Sequence, residues 1–264
     1  MPPKKSKVKS HDGSTGSAAQ KQPKYPVDWP QLNSKRGYHD QNLSLHQLVP
    51  GQIITIPRFW DPALCKAYLQ FLPTLPLITT PGKPRKGDAV RVNDRFQIDD
   101  AQFAEKLWLE TPLRGLITGT GESSGNEMSP EQRRELFGGE VVGLNPNIRI
   151  YRYTKGQFFD CHYDDSNLVT IPGDPSIPAR TTWTLLLYLT SCSGGETVFY
   201  PSSESTSKKN KSSKGEAPLQ PVSIAPDAGL ALLHRHGADC MLHEGREVSG
   251  GEKWVIRSDL CVRR

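Results

Sequence analysis

The stretch NIRIYRYTKGQFFDCHYDD, residues 147–165, decides the fold class of this chain. It contains two β-rich runs, NIRIYRY and QFFDCHYD, on either side of a turn at Gly156. Further runs of the same kind follow, separated by Gly, Pro, Ser and Asn: TTWTLLLYLTS, ETVFYP, LQPVSIAP, GLALLHRHG and KWVIRSDLCVR. Many short strands with turn signals between them predict a barrel or a sandwich.

Upstream of this β-rich half, the sequence predicts two strands, in GQIITIPRFW and in AVRVNDRFQIDD, and several helices. The run GQIITIPRFW is typical of a strand, and Asp61 and Pro62 then provide an N-cap and a first helical position for PALCKAYLQFL. AQFAEKLWLETPLRGLI and MSPEQRREL have helical patterns, the second beginning at Ser129 and Pro130. We expect these helices to pack against a sheet, and TPGKPRKGD before them to form a loop that could act as a lid.

Two segments are predicted to lie outside the folded domain. Residues 1–46 are rich in Lys, Ser, Gly, Gln and Pro and predict a disordered tail, and residues 201–217 predict a disordered insertion. The folded domain is then residues 47–264. The sequence has no run of about 20 apolar residues, and its start lacks the apolar core of a signal peptide. It therefore predicts an intracellular protein, cytoplasmic or nuclear, without a membrane segment.

Positive charge is concentrated at the start of the chain. Residues 1–24 contain six lysines and one aspartate, a net charge of +5 that equals the whole-chain excess of 33 basic over 28 acidic residues. The remainder is formally neutral, which argues against a nucleic-acid-binding face on the folded part. The tail itself is either a solvated segment or an arm for nuclear targeting or polyanion binding.

A metal-binding pattern stands in the decisive stretch and near the end of the chain. His162 and Asp164 are two residues apart in an extended run, so both face one side, and His243 is the third candidate ligand. Two imidazoles and a carboxylate leave coordination positions open, the arrangement that non-haem iron(II) oxygenases use. Zinc binds the same ligands, so the ligand types leave a hydrolase open. His234 and His236 alternate on a strand, but neither precedes a Gly-rich turn and a lysine strand as His243 does.

These motifs together resemble the iron- and 2-oxoglutarate-dependent dioxygenases of the prolyl 4-hydroxylase type. The resemblance covers roughly residues 48–264 and is carried by NPNIRIYRYTKGQFFDCHYDD, TTWTLLLYLTSCSGGETVFY and LHEGREVSGGEKWVIRSDL. It implies a mainly β fold, a double-stranded β-helix or jelly-roll core like that of the cupins, with flanking helices. It also implies the cofactors iron(II), 2-oxoglutarate and oxygen, with ascorbate as reductant, and release of succinate and carbon dioxide.

The resemblance also implies roles for individual residues. His162, Asp164 and His243 would bind iron, and Lys253, ten residues after His243, would bind the distal carboxylate of 2-oxoglutarate. A cation there would offset the cost of burying that carboxylate. Two tyrosines that match family contacts to the cosubstrate are Tyr153 and Tyr188. Arg257 should face the same side of its strand as Lys253, and is an alternative or additional ligand for an anionic group.

The substrate is less well defined by the sequence. AVRVNDRFQIDD falls where the family has a substrate-covering loop, and Arg91, Asn93 and Arg95 could hold a peptide backbone or an acidic group; a plain salt-bridged strand is the alternative. The leading substrate is a peptidyl proline in a protein or peptide. The ending RSDL departs from the usual prolyl hydroxylase sequence. Oxidative demethylation of nucleic acid or protein by an AlkB-like enzyme, and a catalytically silent barrel acting as a binding module, are the other hypotheses.

Overall fold

The computed structural model describes residues 26–32, 43–80, 87–120, 128–201 and 220–264. The helices are α1 (Pro62–Phe71), α2 (Ala101–Leu109), α3 (Leu113–Thr118) and α4 (Pro130–Phe137). The strands are β1 (His46–Val49), β2 (Ile53–Ile56), β3 (Ile78–Thr79), β4 (Arg91–Val92), β5 (Asp94–Asp99), β6 (Val141–Leu144), β7 (Asn147–Tyr153), β8 (Phe158–His162), β9 (Leu168–Ile171), β10 (Ile177–Tyr188), β11 (Ser193–Gly194), β12 (Thr197–Tyr200), β13 (Val222–Ile224), β14 (Ala231–Arg235), β15 (Leu242–Gly245), β16 (Val248–Gly250) and β17 (Lys253–Arg263). None of these helices has both the length and the apolar character needed to cross a membrane.

Two helices begin where the sequence predicts them to begin. The side chain of Asp61 accepts a hydrogen bond from the backbone N–H of Leu64 at 2.7 Å, which makes Asp61 the N-cap of α1. Ser129 caps α4 in a reciprocal capping box with Gln132. Such caps satisfy backbone N–H groups that have no partner inside the helix, and each contributes about 1 kcal/mol. Both predicted caps are confirmed.

In the described residues, the strands form two main antiparallel sheets that face each other. The larger has the order β1-β2-β14-β10-β17-β7-β5-β3, with β6 added to β17 and β9 to β10. The smaller has the order β13-β12-β15-β8-β4, and a separate two-stranded sheet joins β11 to β16. Most neighbouring strands in each sheet are distant in sequence, as in a jelly roll. The predicted mainly β fold with a double-stranded β-helix core is confirmed.

The apolar core lies on both faces of the larger sheet. On its outer face, Trp183 of β10 is fully buried and its ring meets the ring of Phe137 from α4 edge-on, with centroids 5.7 Å apart. On its inner face, Tyr188 and Val255 pack against Phe199 of the smaller sheet. Because successive strand residues point to opposite faces, β10 and β17 supply the helical layer and the barrel interior at once. The functional side chains project into the barrel interior.

The folded part of the chain begins earlier than the sequence analysis predicts. Leu32 and Leu43 are buried in the core, although both fall within the segment 1–46 that the composition assigns to the tail. Trp29 stacks on Phe103 with ring centroids 4.2 Å apart, and its indole N–H donates to Asp100 at 2.8 Å. The boundary at residue 46 is therefore wrong, because apolar anchors are spaced too widely in this polar segment to give a periodic pattern. Most of the predicted lid loop (residues 81–86), the insertion from residue 202 and residues 1–25 lie outside the described residues.

Candidate metal centre

The two predicted histidine ligands come from adjacent strands of the smaller sheet. His162 is the last residue of β8, His243 lies in β15, and the two residues are paired across the strands. Asp164 follows two residues after His162, just beyond the end of β8, and turns its carboxylate back into the barrel. The intervening Tyr163 is 40% exposed, which confirms the predicted alternation of faces. Strand register and strand ending thus bring the three side chains together.

Both imidazoles present a bare Nε2 to the barrel interior. His162 Nδ1 donates to the carbonyl oxygen of Asp160 at 2.8 Å, and His243 Nδ1 donates to the carbonyl of Met241 at 2.9 Å. A hydrogen bond that fixes the proton on Nδ1 leaves Nε2 as a lone-pair donor, which is the state needed for metal binding. Burial lowers the pKa of His162 to about 3 and lowers that of His243 as well, so both rings are neutral at pH 7.

Asp164 stands between these nitrogens. Its Oδ1 is 3.8 Å from Nε2 of His162, and its Oδ2 is 3.8 Å from Nε2 of His243. Two donors that share one metal at about 2.1 Å each are at most about 4.2 Å apart. Both distances are below that limit, and all three donor groups are within 4.8 Å of one another. The donor set therefore fits a divalent metal of the kind that takes imidazole and carboxylate ligands.

The carboxylate of Asp164 is held in its ionised form. Burial opposes ionisation, but the guanidinium of Arg257 and the neighbouring histidines outweigh it and hold the pKa of Asp164 well below its usual value. Arg257 Nη2 is 3.1 Å from Oδ2 and Nη1 donates to Oδ1 at 3.3 Å. Thr184 of β10 donates its hydroxyl proton to Oδ2 at 2.9 Å. Arg257 and Thr184 thus orient the carboxylate of Asp164 without a metal.

A chain of hydrogen bonds continues outward from Thr184. Its hydroxyl lies 3.0 Å from Nδ1 of His236, and Nε2 of His236 lies 2.9 Å from the hydroxyl of Thr181. Thr181 in turn accepts a hydrogen bond from the backbone N–H of Asn167 at 2.9 Å. If each hydroxyl accepts one hydrogen bond and donates another, every polar side-chain atom in this series of hydrogen bonds has a partner. Such outer partners fix the orientation of a ligand and tune its affinity for metal.

Lys253 occupies the far end of the same pocket. It is 5% exposed, its ammonium donates to the carbonyl of Gly195 at 2.7 Å, and no described carboxylate forms an ion pair with it. Burial lowers its pKa to about 8. A cation kept this deep without a carboxylate is costly, and the cost falls if a ligand brings one. The site therefore fits an anionic ligand such as the distal carboxylate of 2-oxoglutarate.

Two tyrosines flank the ammonium of Lys253. The ring centroids of Tyr153 and Tyr188 are 5.5 Å and 5.4 Å from it, and the hydroxyl of Tyr188 pairs with that of Thr197 at 2.7 Å. Burial raises the pKa of both tyrosines, so they remain neutral donors. The structure brings both predicted tyrosines to the predicted lysine.

The Gly-Gly turn before β12 shapes this end of the pocket. Gly194 and Gly195 both have φ of +71°, a conformation that residues with a side chain rarely adopt. A Cβ on Gly194 would lie 2.4 Å from the carbonyl oxygen of Glu247, and one on Gly195 would lie 3.4 Å from Cδ of Lys253. The turn therefore needs glycine for its backbone angles at both positions and, at Gly194, for its close approach to Glu247.

The structure brings Arg91 and Arg95 to the same tyrosine ring, that of Tyr151, and buries Asn93. The guanidinium of Arg91 lies over the ring of Phe159, 4.8 Å from its centroid, and that of Arg95 lies 5.7 Å from the centroid of Tyr151. Both arginines are half-buried near the site. Asn93 is fully buried, and its backbone and side chain are bonded to Thr80. Asn93 is thus held by Thr80 in the structure, and its role as a direct substrate contact stays a prediction.

Residues 148–258 match the family model of the 2OG-Fe(II) oxygenase superfamily. Over these residues the chain is similar to the 2OG-Fe(II) oxygenase superfamily, as the sequence predicts. The matched segment of this oxygenase contains His162, Asp164, His243 and Lys253. The predicted enzyme class, a 2-oxoglutarate-dependent dioxygenase, and the predicted cofactors iron(II), 2-oxoglutarate and oxygen are confirmed. The predicted use of ascorbate stays a prediction.

Solved structures with a similar fold include three prolyl hydroxylases. A viral collagen prolyl hydroxylase from Paramecium Bursaria Chlorella virus-1, in complex with 2OG, has 15% identity and a TM-score of 0.44, over 80% of this chain and 96% of that one. A prolyl-4-hydroxylase from Pseudomonas putida has 14% identity and a TM-score of 0.49, over 83% and 96%. A prolyl hydroxylase from Trichoplax adhaerens, in complex with a hypoxia inducible factor peptide, has 18% identity and a TM-score of 0.48, over 81% and 85%. No curated protein matches the sequence.

Three residues lie at the oxygenase site without a predicted role there: the sequence analysis sets His234 and His236 aside and does not name Thr184. Thr184 and His236 orient Asp164, and His234 also lines the pocket, with Nε2 3.6 Å from Oδ2 of Asp164. Their only sequence signal is strand spacing. Thr184 is two residues from Leu186, and His234 is two residues from His236, so each pair shares one face of a strand whose inner face is otherwise apolar. A buried polar residue on such a face indicates a partner inside the barrel.

Proposed function

We propose that this dioxygenase holds iron(II) with His162, Asp164 and His243 and hydroxylates a C–H bond of a protein or peptide substrate. The observation that carries the proposal is the convergence of two bare Nε2 atoms and one ionised carboxylate in the pocket that also contains Lys253. When bound, iron(II) with 2-oxoglutarate and oxygen supplies oxidative decarboxylation to succinate and carbon dioxide, coupled to oxidation of the substrate.

Lys253 is assigned to the distal carboxylate of 2-oxoglutarate. Its ammonium has neutral partners only, the carbonyl of Gly195 and the hydroxyl of Thr197 at 3.4 Å. Arg257, the alternative ligand, is instead placed on Asp164, with Asp259 3.6 Å from the same nitrogen. Arg257 therefore orients a metal ligand, and Lys253 is the cation that gains most from a new carboxylate.

The remaining residues hold and enclose the reactants. Tyr153 and Tyr188 offer neutral hydroxyl groups beside Lys253, and Val255 and Leu186 supply apolar wall between Lys253 and Asp164. An enclosed, partly apolar wall excludes water and strengthens the charge-assisted bond to the cosubstrate. The site thus combines a polar anchor at each end with an apolar middle, which suits the short carbon chain of 2-oxoglutarate.

A peptidyl proline is the leading substrate. The proposal is supported by the order of motifs that this chain shares with prolyl hydroxylases, from the HxD pair to the distal histidine and Lys253. Phe159 and Tyr151 line the pocket near His162 and give this wall an aromatic character.

A second candidate, AlkB-like oxidative demethylation, is favoured by local charge. Burial would raise the pKa of Tyr151, but four surrounding arginines lower it instead: Arg95, Arg257, Arg149 and Arg91. The folded part is neutral in net charge, yet this wall of the pocket is positive. A positive wall favours a substrate that carries an anionic group, such as a nucleotide or an acidic peptide.

Succinate release tests the proposed chemistry. Purified protein with iron(II), ascorbate and 2-oxoglutarate should form succinate, and the His162→Ala variant should lose both turnover and tight iron binding. Absence of succinate from a protein that still binds 2-oxoglutarate would indicate a silent binding module. One tightly held zinc, with no dependence on 2-oxoglutarate, would indicate a hydrolase instead.

Proline-containing peptides and methylated oligonucleotides then distinguish the substrates. We expect a gain of 16 Da on a peptide proline, and this gain should require both iron and 2-oxoglutarate. Loss of a methyl group from an oligonucleotide, with no peptide product, would overturn the peptide assignment in favour of demethylation.

A further inference from the structure

The hydroxyl group of Tyr151 is a buried polar group to which the proposed reaction gives no role. Tyr151 lies in β7, is 5% exposed and lines the pocket that contains the metal centre. Its hydroxyl oxygen has no hydrogen-bond partner in the residues that the structure describes. A buried hydroxyl without a partner is costly, and in a pocket it indicates a group that arrives with a ligand.

The potential at this hydroxyl is positive. The guanidinium groups of Arg91 and Arg95 each lie 5.7 Å from the ring centroid of Tyr151. Burial by itself would raise the pKa of Tyr151, but Arg95, followed by Arg257, Arg149 and Arg91, lowers it below its ordinary value. A hydroxyl in such surroundings donates best to an anion. The ligand group that fits beside Tyr151 is therefore negatively charged.

Arg91 is the arginine of this wall that can bind such an anion directly. Its side chain is half-buried, with the guanidinium over the rings of Phe159 and Tyr151. Among the described residues, the guanidinium of Arg91 has no hydrogen bond and no ion pair, whereas that of Arg257 is paired with Asp164. Contact with aromatic rings covers the faces of a guanidinium and leaves the N–H groups at its edge available to a planar anion.

This anion-binding wall is close to the proposed iron ligands. The ring of Phe159 stacks on the imidazole of His162, with centroids 3.6 Å apart, and the guanidinium of Arg91 is 4.8 Å from the same Phe159 centroid. The 3.6 Å and 4.8 Å separations together place the guanidinium within 8.4 Å of the centre of the His162 ring. Because an extended peptide advances about 3.3 Å per residue, a side chain bound by Arg91 lies within about three residues of the oxidised one.

Charges beside the iron ligands favour a single carboxylate over a chain of phosphates. Asp160 and Asp165 are both exposed; the first lies two residues before His162 and the second directly follows Asp164. Neither forms an ion pair with a cation of the described residues. A nucleic acid carries a negative charge at every phosphate and would bring several of them past these carboxylates. A peptide can present one acidic side chain to Arg91 and neutral residues to Asp160 and Asp165.

We propose that Arg91, Arg95 and Tyr151 form a subsite for the carboxylate of an aspartate or glutamate that lies within about three residues of the oxidised residue of a peptide substrate. The proposal rests on the proposed function and narrows its substrate to acidic peptides. Arg91 supplies charge-assisted hydrogen bonds, Arg95 adds positive charge, and the hydroxyl of Tyr151 donates to the carboxylate that it lacks in the free enzyme.

A library of synthetic peptides of mixed sequence, without methionine, provides the test. Products that gain 16 Da only when 2-oxoglutarate is present are sequenced by mass spectrometry. We expect aspartate or glutamate to be enriched at one fixed position relative to the oxidised residue. In a peptide chosen from these products, exchange of that glutamate for glutamine should lower kcat/KM about tenfold or more. Oxidation without an acidic preference, or oxidation of methylated oligonucleotides and of no peptide, would overturn the proposal.

Variants separate this role from a structural one. In Arg91→Gln, the ratio of kcat/KM for the glutamate peptide to that for the glutamine peptide should fall to near one. Tyr151→Phe should lower the same ratio severalfold and leave the free energy of unfolding unchanged, because the hydroxyl has no described partner to lose. Arg114→Gln, which changes an exposed arginine of α3 outside the pocket, should keep the full ratio.

The ratio also distinguishes failure of this proposal from failure of the proposed function. An acidic preference that survives in both Arg91→Gln and Tyr151→Phe would overturn the subsite and leave the oxygenase chemistry in place. Absence of succinate release from the unmodified protein with iron(II) and 2-oxoglutarate would overturn the proposed function, and the subsite with it.

Discussion

Replacing Lys253 with methionine should weaken binding of 2-oxoglutarate strongly while the fold is retained. Methionine keeps most of the volume of the side chain and removes the charge. Burial lowers the pKa of Lys253 from 10.5 to about 8, which corresponds to about 3 kcal/mol spent on holding the charge in the cosubstrate-free site. The carboxylate of 2-oxoglutarate offsets a cost of this size, so its loss should raise the KM for 2-oxoglutarate roughly a hundredfold.

The measurement is succinate formation as a function of 2-oxoglutarate concentration, together with calorimetric binding of 2-oxoglutarate to the metal-loaded protein. Lys155→Met is the matched control, because Lys155 is exposed and lies outside the pocket. The control should keep the KM of the unmodified enzyme. A rise of less than threefold for Lys253→Met, with metal binding unchanged, would refute the assignment of Lys253 and return Arg257 to consideration.

Three further predictions concern the charges and hydrogen bonds of the site. The pKa of Lys253 is about 8 without cosubstrate, so its charge is lost as pH rises. The affinity for 2-oxoglutarate, measured by calorimetry, should therefore fall about tenfold from pH 7 to pH 9. The Lys253→Arg variant should show a much smaller change. Thr184→Val removes the hydroxyl that donates to Asp164 and should weaken iron(II) binding by about tenfold in a chelator competition, whereas Thr182→Val, whose hydroxyl has no described partner, should leave it unchanged. Arg257→Met should destabilise the metal-free protein by about 3 kcal/mol in urea unfolding at pH 7. Arg257 depresses the pKa of Asp164, so this contribution is present above the unfolded pKa of about 4 and should disappear as pH falls through the folded pKa; an undiminished difference at low pH would contradict the mechanism.

The parts of the fold that could be predicted are those set by local pattern. Asp61 and Ser129 cap helices because their side chains reach N–H groups three residues away, and such short-range chemistry is visible in sequence. The HxD pair is equally local, since strand alternation alone sends His162 and Asp164 to one side of Tyr163. The order and spacing of motifs then identified the enzyme class.

What could not be predicted depends on strand pairing between distant segments. Asn93 resembles an exposed loop donor in sequence, but the pairing of β3 with β5 places Thr80 against it and buries it. His234 and Thr184 become neighbours only because β14 pairs with β10 in one register. A shift of β14 by one residue would turn His234 away from the barrel, and sequence pattern alone does not fix that register.

The two ends of the pocket differ in how their charges are compensated. Asp164 has Arg257 and Thr184 as partners in the protein itself, so the folded chain accommodates this carboxylate without a metal. Both hydrogen-bond partners of Lys253 are neutral, and no described carboxylate of the pocket forms an ion pair with it. The metal end should therefore be ordered in the metal-free protein, whereas the lysine end gains most from its ligand.

It follows that 2-oxoglutarate should stabilise the protein against unfolding even with the metal removed, by contact with Lys253, and that this stabilisation should vanish in Lys253→Met. Thermal unfolding of metal-free protein with and without 2-oxoglutarate measures it, and an equal shift in the variant would show that the carboxylate binds elsewhere.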